Sequence, residues 1–326
     1  MKILISDTHF GCRQNSITWL NSQLSFFYDQ LIPFIKQQKE LVYVYHLGDV
    51  FDVRSSVNLL VADKVHKLFE DLLELCNVVV IGGNHDYYSP NESDENVNSL
   101  RIVLGDLTSN PNFRLYDREC GLYYDGEELF VPWFRYFDYD FLKSTIENEG
   151  VKRVFIHNDL TVTLEDKYRE LFKNVTVYSG HIHIPKHDKN LHTLGATFAL
   201  NFADSNSARG FYTMNNDGSN FTFHSNDKSI KFYRIYNKEV FDEIKDIKKD
   251  DYVELYVNQD NLLKDSYVNK IKELNSTVSN MVVIPRVVRE LSDDSTDFEK
   301  YDITDICRQN IPDNLIEKFN KISLGQ

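Results

Sequence analysis

The stretch Leu41-Val-Tyr-Val-Tyr-His-Leu47-Gly48-Asp49-Val50-Phe51-Asp52 decides the fold that this sequence predicts. An apolar run that ends in Gly-Asp is typical of a β-strand whose carboxyl end carries an acidic side chain. In α/β proteins, functional sites are built at that edge of the sheet. The stretch therefore predicts a strand followed by a candidate site carboxylate, Asp49.

Four further apolar runs end in residue types that bind metal ions. Lys2–Ser6 is followed by Asp7-Thr8-His9, and Val78–Ile81 by Gly83-Asn84-His85-Asp86. Val154–Ile156 is followed by His157, and Val175–Tyr178 by Gly180-His181-Ile182-His183. Such side chains are costly to bury at strand ends unless they are paired or bound to an ion. The pattern favours a metal site over the alternative of purely structural polar groups.

Helical spacing of apolar residues fills the gaps between the first strands. Residues 15–39 and 57–76 predict two amphipathic helices, with Ser16 as the N-cap of the first and Pro33 as the cause of a kink in its last turn. This alternation predicts βαβ units and a mainly parallel sheet. After His183, short runs separated by turn residues predict further strands. The expected fold class is α/β, a two-sheet sandwich flanked by helices, with a smaller C-terminal α+β domain and a helical tail.

The chain of 326 residues is long enough for one large domain and a smaller one. We expect a catalytic domain over residues 1–236 and a small βαβ capping or DNA-binding domain over residues 237–291. Residues 292–326 predict a polar linker and an amphipathic tail.

Composition and charge exclude several classes of protein. A net charge of −14 argues against a protein that coats nucleic acid by bulk electrostatics, but it leaves room for an enzyme that meets DNA on a local patch. No apolar stretch approaches the roughly 20 residues of a membrane span. A strand that begins at Lys2 leaves no room for a signal peptide, so a cytoplasmic location is expected. The cysteines show no CxxC spacing and predict free thiols.

The candidate ligands are oxygen and imidazole donors without a thiolate, which suits manganese, iron or zinc better than calcium. Two metal ions about 4 Å apart need one shared carboxylate and about three further ligands each. Such a pair produces a metal-bound hydroxide near neutral pH and neutralises charge on a phosphate ester. The sequence supplies a sufficient set in Asp7, His9, Asp49, Asn84, His157, His181 and His183.

Taken together and in this order, the five motifs resemble those of the calcineurin-like metallophosphoesterases, over about the first 185 residues. The resemblance implies a cofactor of two divalent metal ions, with manganese as the implied metal. It assigns Asp7, His9 and His183 to the first ion, Asn84, His157 and His181 to the second, and Asp49 as the bridge between them. It further implies that His85 meets the substrate phosphate as a catalytic residue and that Asp52 orients His85.

Within that superfamily the chain is similar to the SbcD-type DNA repair nuclease subunits, and most of all to the small subunits of phage recombination endonucleases. The similarity lies in Gly48–Arg54, Pro132-Trp133, Leu194–Thr197 and Arg209-Gly210-Phe211. Cellular members carry a histidine where Asp52 stands here, which is a departure from their pattern. The resemblance implies manganese-dependent double-strand exonuclease and single-strand or hairpin endonuclease activity on DNA.

The resemblance also implies partners. We expect a homodimer through residues 57–62 and 98–107, and an SbcC-type coiled-coil ATPase bound through residues 303–324. No GxxxxGK[ST] motif occurs in the sequence, so any ATP dependence would come from that partner.

Alternative interpretations of these motifs and residues remain open. The alternative enzyme is a metallophosphoesterase for a small phosphodiester or a phosphoprotein, and the alternative to an enzyme is a scaffold that has lost its metals. Arg13, Arg54 and Arg209 flank the motifs as candidate DNA-phosphate contacts or as ordinary surface charges. Among other histidines, His46 is expected in the core or behind the ligands and His66 in solvent, whereas His187, His192 and His224 are expected to have no site role.

Overall fold

The residues that the structure describes form two six-stranded sheets and one three-stranded sheet. The computed structural model describes residues 1–89, 96–118, 123–134, 139–159, 166–205, 208–236, 247–258 and 265–286. The strands, in chain order, are β1 Lys2–Ile5, β2 Tyr43–His46, β3 Asn77–Ile81, β4 Phe113–Tyr116, β5 Tyr123–Asp125, β6 Glu128–Val131, β7 Arg153–His157, β8 Thr176–Gly180, β9 Lys186–Asp188, β10 Leu191–Thr193, β11 Gly210–Met214, β12 Thr222–Ser225, β13 Phe232–Tyr236, β14 Tyr252–Asn258 and β15 Asn280–Arg286.

Helices connect most of these strands. They are α1 Cys12–Asn15, α2 Ile17–Phe26, α3 Ile32–Lys36, α4 Leu59–Leu73, α5 Ser99–Leu104, α6 Tyr139–Asn148, α7 Asp166–Leu171 and α8 Asp265–Thr277, with a π-helical turn at Phe27–Leu31 and 3₁₀ turns at Gly105–Ser109, Phe172–Asn174 and Phe202–Asp204. Among the described residues, none of the helices combines the length and the apolar character needed to cross a membrane.

The two large sheets contain the mainly parallel strands that the predicted βαβ units require. The first has the order β12-β11-β1-β2-β3-β4, in which β1 to β4 are parallel and β11 and β12 are antiparallel additions. The second has the order β5-β6-β7-β8-β10-β9, with β6, β7, β8 and β10 parallel. Because β1, β2, β3, β7 and β8 all end toward the same edge, their following residues can meet there.

The sheets face each other across an aromatic layer and carry helices on their outer faces. Tyr45 of the first sheet packs edge-on against Phe130 and Phe155 of the second, with ring centroids 5.3 and 5.0 Å apart. Helices α2 to α5 cover the outer face of the first sheet, and α6 and α7 cover that of the second. The predicted α/β sandwich flanked by helices is therefore confirmed.

The helices differ in detail from those that the spacing of apolar residues predicts. The segment predicted as one helix over residues 15–39 contains the π-helical turn shortly before Pro33. Proline has no backbone N–H, so it removes a donor from the helical hydrogen bonds. The helix predicted over residues 57–76 is observed as α4, in which Leu60 is 42% exposed and Phe69 and Leu73 are buried. Ser16 stands at the predicted N-cap position without a side-chain capping bond.

The third sheet consists of β13, β14 and β15, all parallel, with α8 between the last two. Strand β13 lies within residues 1–236, the range predicted for the catalytic domain, and it pairs with β14 in this smaller sheet. Residues 292–326, predicted as linker and tail, lie outside the described residues.

A buried ion cluster joins the two large sheets at the amino ends of β1 and β7. Glu128 of the second sheet accepts hydrogen bonds from Lys2 Nζ and, at 2.8 Å, from the Tyr45 hydroxyl of the first sheet. Arg153 Nε donates to Glu128 Oε1 at 2.9 Å. Since these groups are buried, removing one partner leaves uncompensated charge.

We expect Glu128→Ala to lower the free energy of unfolding by about 3–5 kcal/mol, because Lys2 and Arg153 would then be buried without their carboxylate. Urea unfolding measures the change. Glu127→Ala is the matched control: Glu127 also pairs with Arg153 but is solvent-exposed, so its loss should cost far less. Equal costs for the two variants would contradict the role of Glu128.

Candidate metal centre

The seven predicted ligands come together where the two sheets meet. Each lies at or just after the carboxyl end of a strand, so parallel strands deliver them to one edge. They are Asp7 and His9 after β1, Asp49 after β2, Asn84 after β3, His157 at the end of β7, and His181 and His183 after β8.

The loops that carry these side chains adopt unusual backbone conformations. Asp7, His9, Asp49 and His181 all have positive φ, at 53°, 47°, 55° and 82°. Non-glycine residues rarely occupy that region, and each costs on the order of 1–3 kcal/mol. Four of the nine non-glycine residues with positive φ in the described part of the chain are proposed ligands, and strain of this kind is typical of functional sites.

Backbone hydrogen bonds hold the first two loops side by side. Asp7 N donates to Gly48 O at 3.0 Å, and His9 N donates to Asp49 O at 3.0 Å. The parallel pairing of β1 and β2 thus continues into the two motif loops. The positions of Asp7, His9 and Asp49 are consequently fixed relative to one another.

Asp86 braces the same loops, although sequence reasoning did not select it as a site residue. Its buried carboxylate accepts from Gly83 N at 2.9 Å, Phe51 N at 3.1 Å and Val50 N at 3.4 Å. Burial and the nearby Asp49 charge raise the pKa of Asp86 to about 7. The sequence feature that could have identified Asp86 is its place as the last residue of the Gly-Asn-His-Asp motif.

Two glycines permit the close approach of the loops. Gly48 has φ +88°, and a Cβ there would lie 2.4 Å from His157 Nδ1. A Cβ on Gly83 would lie 2.1 Å from Asp49 N. Any side chain at these positions would push apart the strand ends that carry the ligands.

Asp7, His9 and His183 form the first group of ligand atoms. His9 Nε2 lies 3.2 Å from His183 Nε2, and His183 Nε2 lies 3.8 Å from Asp7 Oδ1. Burial disfavours the charged form of His9, but Asp52, Asp49 and Asp7 outweigh it and raise the pKa of His9. A buried cluster with this much negative charge favours a cation among its members.

Asn84, His157 and His181 form the second group. Asn84 Oδ1 lies 3.0 Å from His157 Nε2 and 2.8 Å from His181 Nδ1. His157 Nδ1 donates to Leu47 O at 2.6 Å, which selects the tautomer whose Nε2 carries the lone pair toward the group. A cation here would favour the amide oxygen facing the imidazoles; the reversed amide would instead offer its oxygen to Arg54.

Asp49 lies between the two groups. Its Oδ2 is 3.6 Å from His9 Nε2 and 3.4 Å from His157 Nε2, while Oδ1 accepts from His85 N at 2.7 Å. Burial alone would raise the pKa of Asp49, but the positive charges of His157, His9 and His85 lower it. A single carboxylate oxygen thus faces one imidazole from each group, the arrangement that a bridging ligand requires.

The donor set fits two divalent ions. Ligand atoms lie within 4.8 Å of one another in each of three overlapping groups, which are Asp7, His9 and His183; His9, Asp49 and His85; and Asp49, His157 and His181. They are carboxylate oxygens and imidazole nitrogens without a thiolate, which excludes the donor chemistry of a structural cysteine site.

His85 and Asp52 are close to each other, but not through the contact that was expected. His85 Nδ1 lies 2.6 Å from the backbone oxygen of Asp52, whereas Asp52 Oδ1 lies 3.3 Å from His9 Nδ1. The carbonyl, not the carboxylate, therefore orients His85. The left-handed turn at Asp49 and the packing of its loop decide this, and residue spacing did not reveal it.

The three candidate arginines have three different environments. Arg54 Nη2 lies 2.9 Å from the side-chain amide of Asn84, beside the ligand groups. Arg13 instead donates to Leu200 O at 2.8 Å and lies over the rings of Trp19, Phe232 and Tyr252. Arg209 is buried next to Asp204.

The remaining histidines mostly match expectation. His46 is buried behind the ligands with Nε2 2.9 Å from Thr8 Oγ1, and burial lowers its pKa to about 3. His66 is not simply solvated, because its Nε2 lies 3.0 Å from Asp106. The other three contact strand neighbours and aromatic rings: His187, His192 and His224.

The fold and this geometry are those of a known class of hydrolase. A profile of the calcineurin-like phosphoesterase family matches residues 2–210. The chain belongs to that family.

Among individual proteins, the chain is 24% identical over 237 residues to exonuclease subunit 1 of Enterobacteria phage T4, covering 67% of this chain and 65% of that protein. The chain thus spans just under two thirds of the length of that relative. The crystal structure of Pseudomonas putida nuclease MPE matches with a TM-score of 0.32 and 15% identity, over 65% of this chain and 82% of that one.

We expect Gly48→Ala to abolish tight metal binding and to destabilise the protein by more than about 1 kcal/mol, because it strains φ and collides with His157. Metal analysis after gel filtration and urea unfolding in EDTA measure the two effects. Gly105→Ala is the control, since a Cβ there meets nothing within 4 Å. Full metal content in Gly48→Ala would contradict the packing described.

Proposed function

We propose that the protein is a two-metal DNA nuclease, with double-strand exonuclease and single-strand or hairpin endonuclease activity. The observation that carries the proposal is the position of Asp49 Oδ2 between His9 Nε2 and His157 Nε2. Similarity to a phage exonuclease subunit supports DNA as the substrate within this hydrolase family. The nuclease would act as one subunit of an SbcCD-like repair and recombination complex.

The ligands would divide as the two groups do. Asp7, His9 and His183 would hold one ion, Asn84, His157 and His181 the other, and Asp49 would contribute to both. Manganese suits the mixture of oxygen and nitrogen donors. When bound, the two ions supply an activated water and neutralise charge on the phosphodiester.

His85 is the proposed catalytic residue. Its backbone N–H binds Asp49 and its Nδ1 contacts the Asp52 carbonyl, so the ring is held beside the ligand groups and Nε2 is the ring nitrogen that does not contact this carbonyl. From there it would donate a proton to the leaving oxygen. Asp52 would act indirectly, through its carbonyl on His85 and its carboxylate on His9.

DNA contact must be local because the net charge is −14. Arg54, beside Asn84, is the proposed phosphate contact nearest to the ligand groups. Arg13 was also predicted to contact DNA, but its guanidinium lies over three rings at the junction with the third sheet. Its contribution to binding would be indirect.

A homodimer is proposed through the outer ends of α4 and α5. Leu59 is 87% exposed, Leu60 is 42% exposed and Ile102 is 72% exposed, and all three lie within the segments predicted as a dimer face. Exposed apolar side chains grouped in this way mark interaction sites. The proposed ATPase-binding segment, residues 303–324, lies outside the described residues.

The central test is cleavage of end-labelled duplex, hairpin and single-stranded DNA with manganese. We expect His85→Ser to keep bound metal and DNA affinity but to lose about 10²–10⁴-fold in kcat, the usual contribution of general acid catalysis. In the same preparations, Asp49→Ala should lose its metal. His187→Ser is the matched control, since this exposed histidine lies outside the ligand groups.

Two results would reject parts of this assignment. Loss of metal in His85→Ser, or cleavage equal to the unmutated protein, would remove His85 from the catalytic role. Hydrolysis of a chromogenic phosphodiester without any DNA cleavage, with or without a cognate ATPase, would reject the nuclease in favour of an enzyme for small phosphodiesters or phosphoproteins.

For the dimer, Leu59→Glu should weaken self-association by about tenfold or more, as for loss of a buried apolar anchor. Sedimentation velocity over a range of concentrations measures it. Ile17→Glu is the control, because Ile17 is 60% exposed at the start of α2, outside the proposed face. A monomeric unmutated protein, or equal effects of both substitutions, would remove this face from the proposal.

A further inference from the structure

A cavity of about 190 Å³ lies between the catalytic sandwich and the third sheet. Its wall includes Arg209 before β11, Asn226 and Ser229 after β12, and Lys231 before β13. The lining therefore combines two cationic side chains and the carboxylate of Asp204 with polar groups. None of these residues is among the ligands of the metal centre.

The guanidinium of Arg209 is unusual in this setting. Its side chain is only 6% exposed, and Nη2 lies 3.0 Å from Asp204 Oδ1. Nη2 thus forms an ion pair with Asp204. However, Nε, Nη1 and Nη2 are all buried, and none of them meets hydrogen-bond geometry with a group in the part of the chain that the structure describes. A buried cation with unsatisfied donors is costly, and an oxyanion would satisfy them.

Asp204 does not meet that need alone. Its Oδ2 already accepts from Leu200 N at 2.8 Å and Asn201 N at 3.3 Å, which leaves Oδ1 as the oxygen facing Arg209. Lys231, half-buried on the same wall, adds a second positive charge. The cavity therefore has more cationic than anionic side chains in its wall.

Strand register places this cavity beside the first ligand group. Strands β1 and β11 are antiparallel, with Leu4 opposite Tyr212 and Ile3 opposite Thr213. Arg209 directly precedes β11 and Asp7 lies two residues after β1, so both lie at the same end of this pair of strands. The charge of Asp7 acts on Arg209, consistent with this proximity.

We propose that this cavity is a phosphate-binding subsite, in which Arg209 and Lys231 bind the oxygens of one phosphate group. Arg209 would offer its planar fork of donors and Lys231 a point charge. The source of the phosphate depends on the proposed nuclease function. It is either a phosphate of the bound DNA strand next to the scissile bond or the phosphate of a released nucleotide. Both sources share the chemistry that the cavity recognises.

The first test is independent of catalysis. Inorganic phosphate is titrated calorimetrically into the full chain in EDTA, and the dissociation constant should rise by roughly tenfold or more in Arg209→Gln and in Lys231→Gln, since each loses a charged hydrogen bond. Lys228→Gln removes the same charge from an exposed position outside the cavity and should bind like the unmutated protein. No phosphate binding, or equal binding in Lys231→Gln and the unmutated protein, overturns the subsite.

The second test separates the sources. A raised KM for DNA in Lys231→Gln assigns the subsite to the bound strand, and relief of inhibition by deoxynucleoside monophosphates assigns it to the product. If neither changes while phosphate binding is lost, the link of the cavity to the reaction is wrong. If the unmutated protein cleaves no DNA, the nuclease proposal fails, and the calorimetric result still decides whether the cavity binds phosphate.

Discussion

The carboxylate of Asp49 between His9 and His157 is the interaction on which the rest of the structure depends. Those imidazoles come from different sheets, so one acidic side chain ties the two halves of the sandwich together at the functional edge. A buried carboxylate without a cationic partner or a metal ion is energetically costly. The surrounding imidazoles, and the divalent ions of this enzyme family, offset that cost.

Holding Asp49 there requires strain and close packing nearby. The loops accept positive φ at Asp7, His9 and Asp49, and only glycine at position 48 lets the His157 ring approach the backbone. Asp86 offsets part of this cost by binding three backbone N–H groups of the neighbouring loops. At the amino ends of the strands, Glu128 joins the same two sheets, so the sandwich is tied together at both ends.

Charge is distributed unevenly, and this matters for a member of a phosphoesterase family. The chain as a whole is strongly acidic, yet cationic groups lie near the proposed ligands. Arg54 lies beside Asn84, and Arg209 is near enough to Asp7 for their charges to interact. Local cations can guide and position a phosphate even when the net charge repels nucleic acid at long range. Binding at such a site should weaken as salt screens these contacts.

The sequence by itself determined the fold class, the family and the strand ends that carry the ligands. Hydrophobic period and turn residues are local properties, so β1 and β3 lie within one residue of the apolar runs Lys2–Ser6 and Val78–Ile81 that predicted them. Only the tertiary structure decided which atom of Asp52 contacts His85, that Asp86 braces the loops, that β13 joins the third sheet, and that Arg13 and Arg209 lie in different surroundings. These depend on backbone turns and on contacts between residues far apart in the chain, which no local pattern encodes.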